Sequence, residues 1–160
     1  MQVLDVDTAI FEDCSASDNF NDGFNYTPLN GKSPHFLEIN CSGSINRATG
    51  TGNATTAHGD CRGYRFNPSG YRNYGIGLAD IDTVKSFNVG VVMEGNGVPS
   101  SSANGFGIYT EGSVEMWLHG ARASGNFANP QIVAEGNSII RYRDCYPIPV
   151  AQETAIVAPF

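Results

Sequence analysis

Lysine is almost missing from this chain: Lys32 and Lys85 are the only two in 160 residues. Charged residues reach 16%, against about 25% in ordinary globular proteins, and the net charge is −7. A protein that grips a phosphate backbone needs clustered Lys and Arg to displace counterions. Arg62, Arg65 and Arg72, interleaved with Tyr64, Phe66, Tyr71 and Tyr74, are the nearest approach to such a patch. Pairing with local carboxylates or packing over aromatic faces is the plainer reading of these arginines, so no nucleic-acid partner is expected. No stretch approaches the roughly 18 consecutive apolar residues of a membrane span, so no membrane association is expected either. Met1-Gln2-Val3-Leu4-Asp5 has neither the basic start nor the apolar core of a signal peptide. A P-loop, a G-x-G-x-x-G turn, an H-E-x-x-H helix and a C-x-x-C pair are all missing.

What remains is uncharged polarity. Nineteen glycines accompany abundant Asn, Ser and Thr, a composition that suits extracellular or virion surfaces. From Ser86 to Asp144 short alternating apolar stretches are separated by glycine-rich breaks. Phe87, Val89, Val91 and Met93 precede Gly95-Asn96-Gly97; Phe106 and Ile108 precede Glu111-Gly112. Val114, Met116 and Leu118 follow, and Ile132–Ala134, Gly136-Asn137 and Ile139–Arg143 close the series. A period of two with turns at short intervals is what antiparallel hairpins need. The expectation is an all-β fold: a single antiparallel β-sandwich or barrel-like domain over residues 32–145. No solenoid period is evident, and Ala79–Lys85 is the one segment that reads as helix. Val98–Asn104 reads as a long loop at a hairpin tip.

The ends differ from this body. Residues 1–31 carry six acidic residues and no Lys or Arg, with Phe20, Phe24 and Tyr26 among Asp, Asn and Ser. They read as an extended N-terminal arm. Residues 146–160 are punctuated by Pro147, Pro149 and Pro159, which hold the backbone extended. Ile148, Val150, Ile156, Val157 and Phe160 make that tail apolar, so it should dock on a surface. Trp117 lies opposite Val114, Met116 and Leu118, either on a contact surface for a subunit or sugar or on a second buried face. These nine aromatic and aliphatic residues are the expected partner contacts.

The four cysteines, Cys14, Cys41, Cys61 and Cys145, allow three disulfide pairings. Cys41–Cys61 with Cys14–Cys145 is the most attractive, and four buried thiols the alternative. Catalytic readings are thin. His58-Gly59-Asp60 sets an imidazole beside a carboxylate without a nucleophile elbow. Glu111 and Glu115 form a carboxylate pair interrupted by Gly112. Asp13, Asp18, Asn19, Asn21 and Asp22 are oxygen-rich, but Phe20 breaks the calcium-loop register. Sequons stand at Asn25, Asn40 and Asn53. No cofactor, metal or enzymatic role is expected.

In architecture and composition the acidic arm, the Gly/Asn/Ser-rich hairpins and the Pro-punctuated tail resemble the head decoration, or cement, proteins of tailed bacteriophages. The resemblance spans the chain and implies a structural virion protein made in the host cytoplasm: a homotrimer that binds the major capsid protein or other virion subunits. A phage tail or fibre component is the neighbouring expectation. A carbohydrate-binding β-sandwich, with Trp117, Tyr109 and the loop around Pro99 contacting sugar, is the expectation from another class.

Overall fold

A computed structural model of the chain describes residues 1–47, 52–98 and 105–160. The backbone winds in coils, each laying one strand on each of three sheets. The first coil holds β1 (Gln2–Val3), β2 (Thr8–Glu12) and β3 (Ser15–Ser17). The second holds β4 (Phe24–Tyr26), β5 (His35–Ile39) and β6 (Ser42–Ser44). The third holds β7 (Thr55–Ala57), β8 (Arg62–Phe66) and β9 (Ser69–Tyr71). The fourth is β10 (Leu78–Asp82), β11 (Lys85–Val89) and β12 (Val92–Glu94). The fifth is β13 (Ile108–Gly112), β14 (Glu115–His119) and β15 (Arg122–Ser124). Two partial coils end the stack: β16 (Ile132–Ala134) with β17 (Ile139–Arg143), then β18 (Val150–Ala151) with β19 (Ile156–Pro159). The first strands of the coils form sheet A, the second strands sheet B and the third strands sheet C.

Every pairing between these strands is parallel. The fold is therefore a β-solenoid of about five turns, and the antiparallel sandwich or barrel is corrected. The reason lies in the links between sheets B and C, each two residues long. A two-residue hairpin of the commonest type needs positive φ at both positions. Here only the first has it: Asp13, Asn40, Asn67, Gly90, Gly120 and Asp144 have φ between 51° and 67°. The second residue, as at Cys41, Val91 and Ala121, turns inward and is buried. One left-handed residue bends the chain around a corner and onward instead of sending it back.

The extended arms are corrected with the sandwich. The N-terminal strands pair in register with the second coil, Val3 against Tyr26 and Ile10 against Leu37. The tail supplies β18 and β19, with Ile156 against Ile139. The expected helix over Ala79–Lys85 is strand β10 and the start of β11. All four cysteines are free, and Cys14 and Cys41 occupy the same corner of adjacent coils while Cys61 sits at another. The loop around Pro99 lies outside the described residues.

A ladder of asparagines ties the coils together along the end of sheet C. Asn19 Nδ2 donates to Asn46 Oδ1, Asn46 to Asn73, Asn73 to Asn96 and Asn96 to Asn126, each at 2.8 Å. The ladder ends where Asn126 Nδ2 donates to Gln131 Oε1 at 2.7 Å. Eleven residues separate the start of each sheet-B strand from its asparagine: Thr8 to Asn19, His35 to Asn46, Arg62 to Asn73, Lys85 to Asn96, Glu115 to Asn126.

The three outer faces differ. Outside sheet A, Ile76, Phe106, Tyr109 and Val133 make a second apolar cluster, and the strands β4, β7 and β16 are buried on both sides. Sheet C shows solvent a serine-rich face: Ser15, Ser17, Ser42, Ser44, Ser69 and Ser124. Sheet B carries neither a cover nor a serine lawn.

Candidate binding face on sheet B

In sheet B the second and fourth residues of each strand point inward, which leaves the first, third and fifth on the surface. The register aligns the third positions into one column: Ile10, Leu37, Tyr64, Phe87, Trp117 and Arg141. Its centre is aromatic. The Tyr64 and Phe87 rings lie 6.3 Å apart at 55°, and Phe66 lies parallel to Tyr64 at 6.5 Å. Tyr64 is 56% exposed, whereas Phe87 and Trp117 are half-buried.

Shallow hollows run along this column. One of about 300 Å³ lies between Tyr64, Phe87 and Trp117, floored by Gly63 and Ser86 and edged by Arg62 and Lys85. Tyr64 separates it from a hollow of about 350 Å³ beside Ile10, His35 and Leu37. Trp117 separates it from one of about 150 Å³ beside Ile139 and Arg141. Lys85 Nζ meets Glu115 Oε1 at 3.0 Å on the surface.

The floor beneath is rigid for an unusual reason. Arg65 is fully buried inside the solenoid. Its guanidinium lies 3.0 and 3.3 Å from the two Asp80 carboxylate oxygens, and its Nε lies 3.4 Å from Glu38 Oε1 and 3.2 Å from Thr55 Oγ1. Nη1 also donates to Asn88 Oδ1 at 3.2 Å, and the guanidinium lies 4.5 Å over the Phe36 ring. Burial alone would lower the Arg65 pKa, but the Asp80 and Glu38 carboxylates outweigh it and raise the value. The charge is thus retained inside. Asn88 Nδ2 donates to the Trp117 backbone oxygen at 3.4 Å, joining this network to the strand that carries the tryptophan.

The expected catalytic pairs do not assemble. Asp60 accepts the Ser33 hydroxyl, which holds its carboxyl below the usual value, and no hydrogen bond joins it to His58 among the described residues. Glu111 is the penultimate residue of a sheet-A strand, and Glu115 begins a sheet-B strand and is already paired with Lys85. The acidic cluster is dispersed: Asp18 pairs with Arg47 at 3.2 Å, and Asp22 is buried against Asn25 and Asn53. Among the described residues no three His, Cys, Asp or Glu side chains stand close enough to hold a metal.

The expected contact residues scatter. Phe24 and Tyr26 lie in the interior, where Tyr26 stacks on Phe36 at 4.4 Å, not on a partner surface. Phe20 is 82% exposed on the first coil. Ile148, Val150, Ile156 and Phe160 are exposed on the last coil, while Val157 turns inward onto the core. Trp117 sits on the aromatic face, but Tyr109 is buried, with its hydroxyl 2.7 Å from Glu135. Arg62 reaches the face, Arg65 the interior and Arg72 a corner, so the sequence cluster is not one patch. The partners of Trp117, namely Tyr64 and Phe87, become visible only when the asparagines are used to align the coils. The chain matches no protein-family model, no curated protein and no solved structure.

Proposed function

We propose that this chain is a carbohydrate-binding solenoid that holds a linear glycan along the outer face of sheet B. The observation that carries the reading is the Tyr64–Phe87–Trp117 column on three successive coils, flanked by hollows and polar side chains. Pyranose rings present C–H groups on their faces and hydroxyls on their edges. An aromatic ring, with negative charge on its face, attracts the first, and Arg62, His35 and Glu115 can bond the second. Stacked strands lie about 4.8 Å apart and set the Tyr64 and Phe87 rings 6.3 Å apart. A preformed rigid face spares the ligand site most of the ordering cost.

The reading is tested by retention on immobilised linear polysaccharides. Tyr64→Ala and Trp117→Ala should each weaken binding by roughly tenfold, with an unchanged β spectrum. Wild-type retention by both variants would contradict it.

The last coil favours a second reading. Tyr146, Ile148, Val150, Ile156 and Phe160 are 41–68% exposed together at one end of the stack, an apolar surface suited to a subunit contact. It supports a virion component, a decoration or fibre subunit that docks end-on as a homotrimer. Light scattering should then show a trimer that Ile148→Ser with Ile156→Ser dissociates. A monomer at every concentration goes against it.

A further inference from the structure

The binding face carries charge opposite in sign to the whole. Arg62, Lys85, Arg141 and Arg143 project outward from sheet B, against Glu12 and Glu115, in a chain whose net charge is −7. Lys85 is held by Glu115, and Arg143 Nε lies 3.6 Å from Asp144 Oδ2. Arg62 and Arg141 have no ion pair among the described residues, and both are exposed. They flank the aromatic column: Arg62 edges the hollows on both sides of Tyr64, and Arg141 lines the one beyond Trp117. Three rungs across the sheet and two residues along the strand separate them, about 16 Å.

Resting on the glycan reading, we infer that the ligand is an acidic polysaccharide, with carboxylates of the uronate class received by Arg62 and Arg141 while intervening sugar rings lie on Tyr64, Phe87 and Trp117. A planar guanidinium with parallel N–H donors matches a carboxylate bidentately and remains charged at all working pH values. A neutral glycan would leave both guanidiniums without a direct ion-pair partner. Nucleic acid fits less well. Its phosphates are dense, two free guanidiniums neutralise few of them, and the acidic remainder of the molecule repels the rest.

The test compares a linear oligogalacturonate, its fully methyl-esterified form and a (dT) oligonucleotide as probes in calorimetric titrations of the full chain at low and moderate salt. The inference predicts that the acid form binds roughly tenfold tighter than the ester, as two charge-assisted contacts would give. It predicts that salt erodes this advantage and that Arg62→Gln with Arg141→Gln removes it, so that the variant binds acid and ester alike. Both residues are exposed, so the variant keeps the fold. Equal affinity for acid and ester overturns the inference and leaves the glycan reading standing. Tighter binding of the oligonucleotide than of the uronate overturns it in favour of nucleic acid. Failure of every glycan form to bind removes both readings.

Discussion

Asn73 occupies the middle of the ladder with all its hydrogen-bonding capacity used. Its Oδ1 accepts the Asn46 backbone and side-chain amides at 3.1 and 2.8 Å, and its Nδ2 donates to Gly43 O and Asn96 Oδ1 at 3.0 and 2.8 Å. Asn73→Ala strips partners from several buried groups, each worth about 1–3 kcal/mol. Chemical denaturation should show a loss of at least about 3 kcal/mol. Asn19→Ala, at the half-exposed end of the same ladder, should cost about 1 kcal/mol. Equal losses would show that the ladder is not the clamp described. Asp22 offers a pH signature. Burial raises its carboxyl pKa above the usual 3.8, against hydrogen bonds from Asn53 and Asn25 that pull it down. A raised folded value means that the folded state holds the proton longer than the unfolded chain does. Asp22 therefore costs no stability below the usual value, and its cost grows as pH rises from there through the raised value. Thermal midpoints of wild type minus Asp22→Asn should fall between pH 4 and pH 7; a flat difference would contradict the assignment.

At the level of strands and corners, small residues set how closely coils approach. A Cβ on Gly43 would stand 2.5 Å from the Ala54 backbone oxygen and 2.6 Å from its Cα. Main chain cannot swing aside, so Gly43→Ala should destabilise by roughly 2 kcal/mol or more. Gly31→Ala, with φ +77° and nothing within 4 Å, should cost only about 1 kcal/mol of backbone strain. Urea midpoints separate the two. Arg65 makes the stronger case: Arg65→Met leaves Glu38 and Asp80 buried without their counter-charge, a loss of about 3–5 kcal/mol. The strands themselves were legible. Met116 and Leu118 read as one face and Trp117 as the other, and that alternation is present. The direction of pairing was not legible, because alternation is identical in parallel and antiparallel strands. Asn40-Cys41 and Gly90-Val91 look like hairpin turns until one knows that only the first residue of each takes positive φ. The repeat was hidden by its links. Cα partners Thr8, His35, Arg62, Lys85, Glu115 and Ile139 lie 27, 27, 23, 30 and 24 residues apart. A fixed-period search fails on such spacing, whereas the constant eleven residues to each asparagine would have aligned the coils.

For the molecule as a whole, the solenoid turns dispersed residues into surfaces. Tyr64, Phe87 and Trp117 are 53 residues apart end to end in the chain and adjacent on three coils. Covering sheet A with its own links and lining sheet C with serine leaves sheet B as the broad aromatic face. The site was half legible for that reason: the alternation singled out Trp117 as either a surface contact or part of a second buried face, and the choice, like its column, needed the coil register. The chain holds a single tryptophan, Trp117, placed between two of the hollows. Its fluorescence therefore reports on this face alone. The most direct measurement is titration of the full chain with linear neutral and uronate oligosaccharides while Trp117 emission is followed. The account predicts a saturable shift with linear glycans, largest and salt-sensitive with the uronate, and strongly weakened in Tyr64→Ala. An emission spectrum unmoved by any of these sugars at saturating concentration would contradict it.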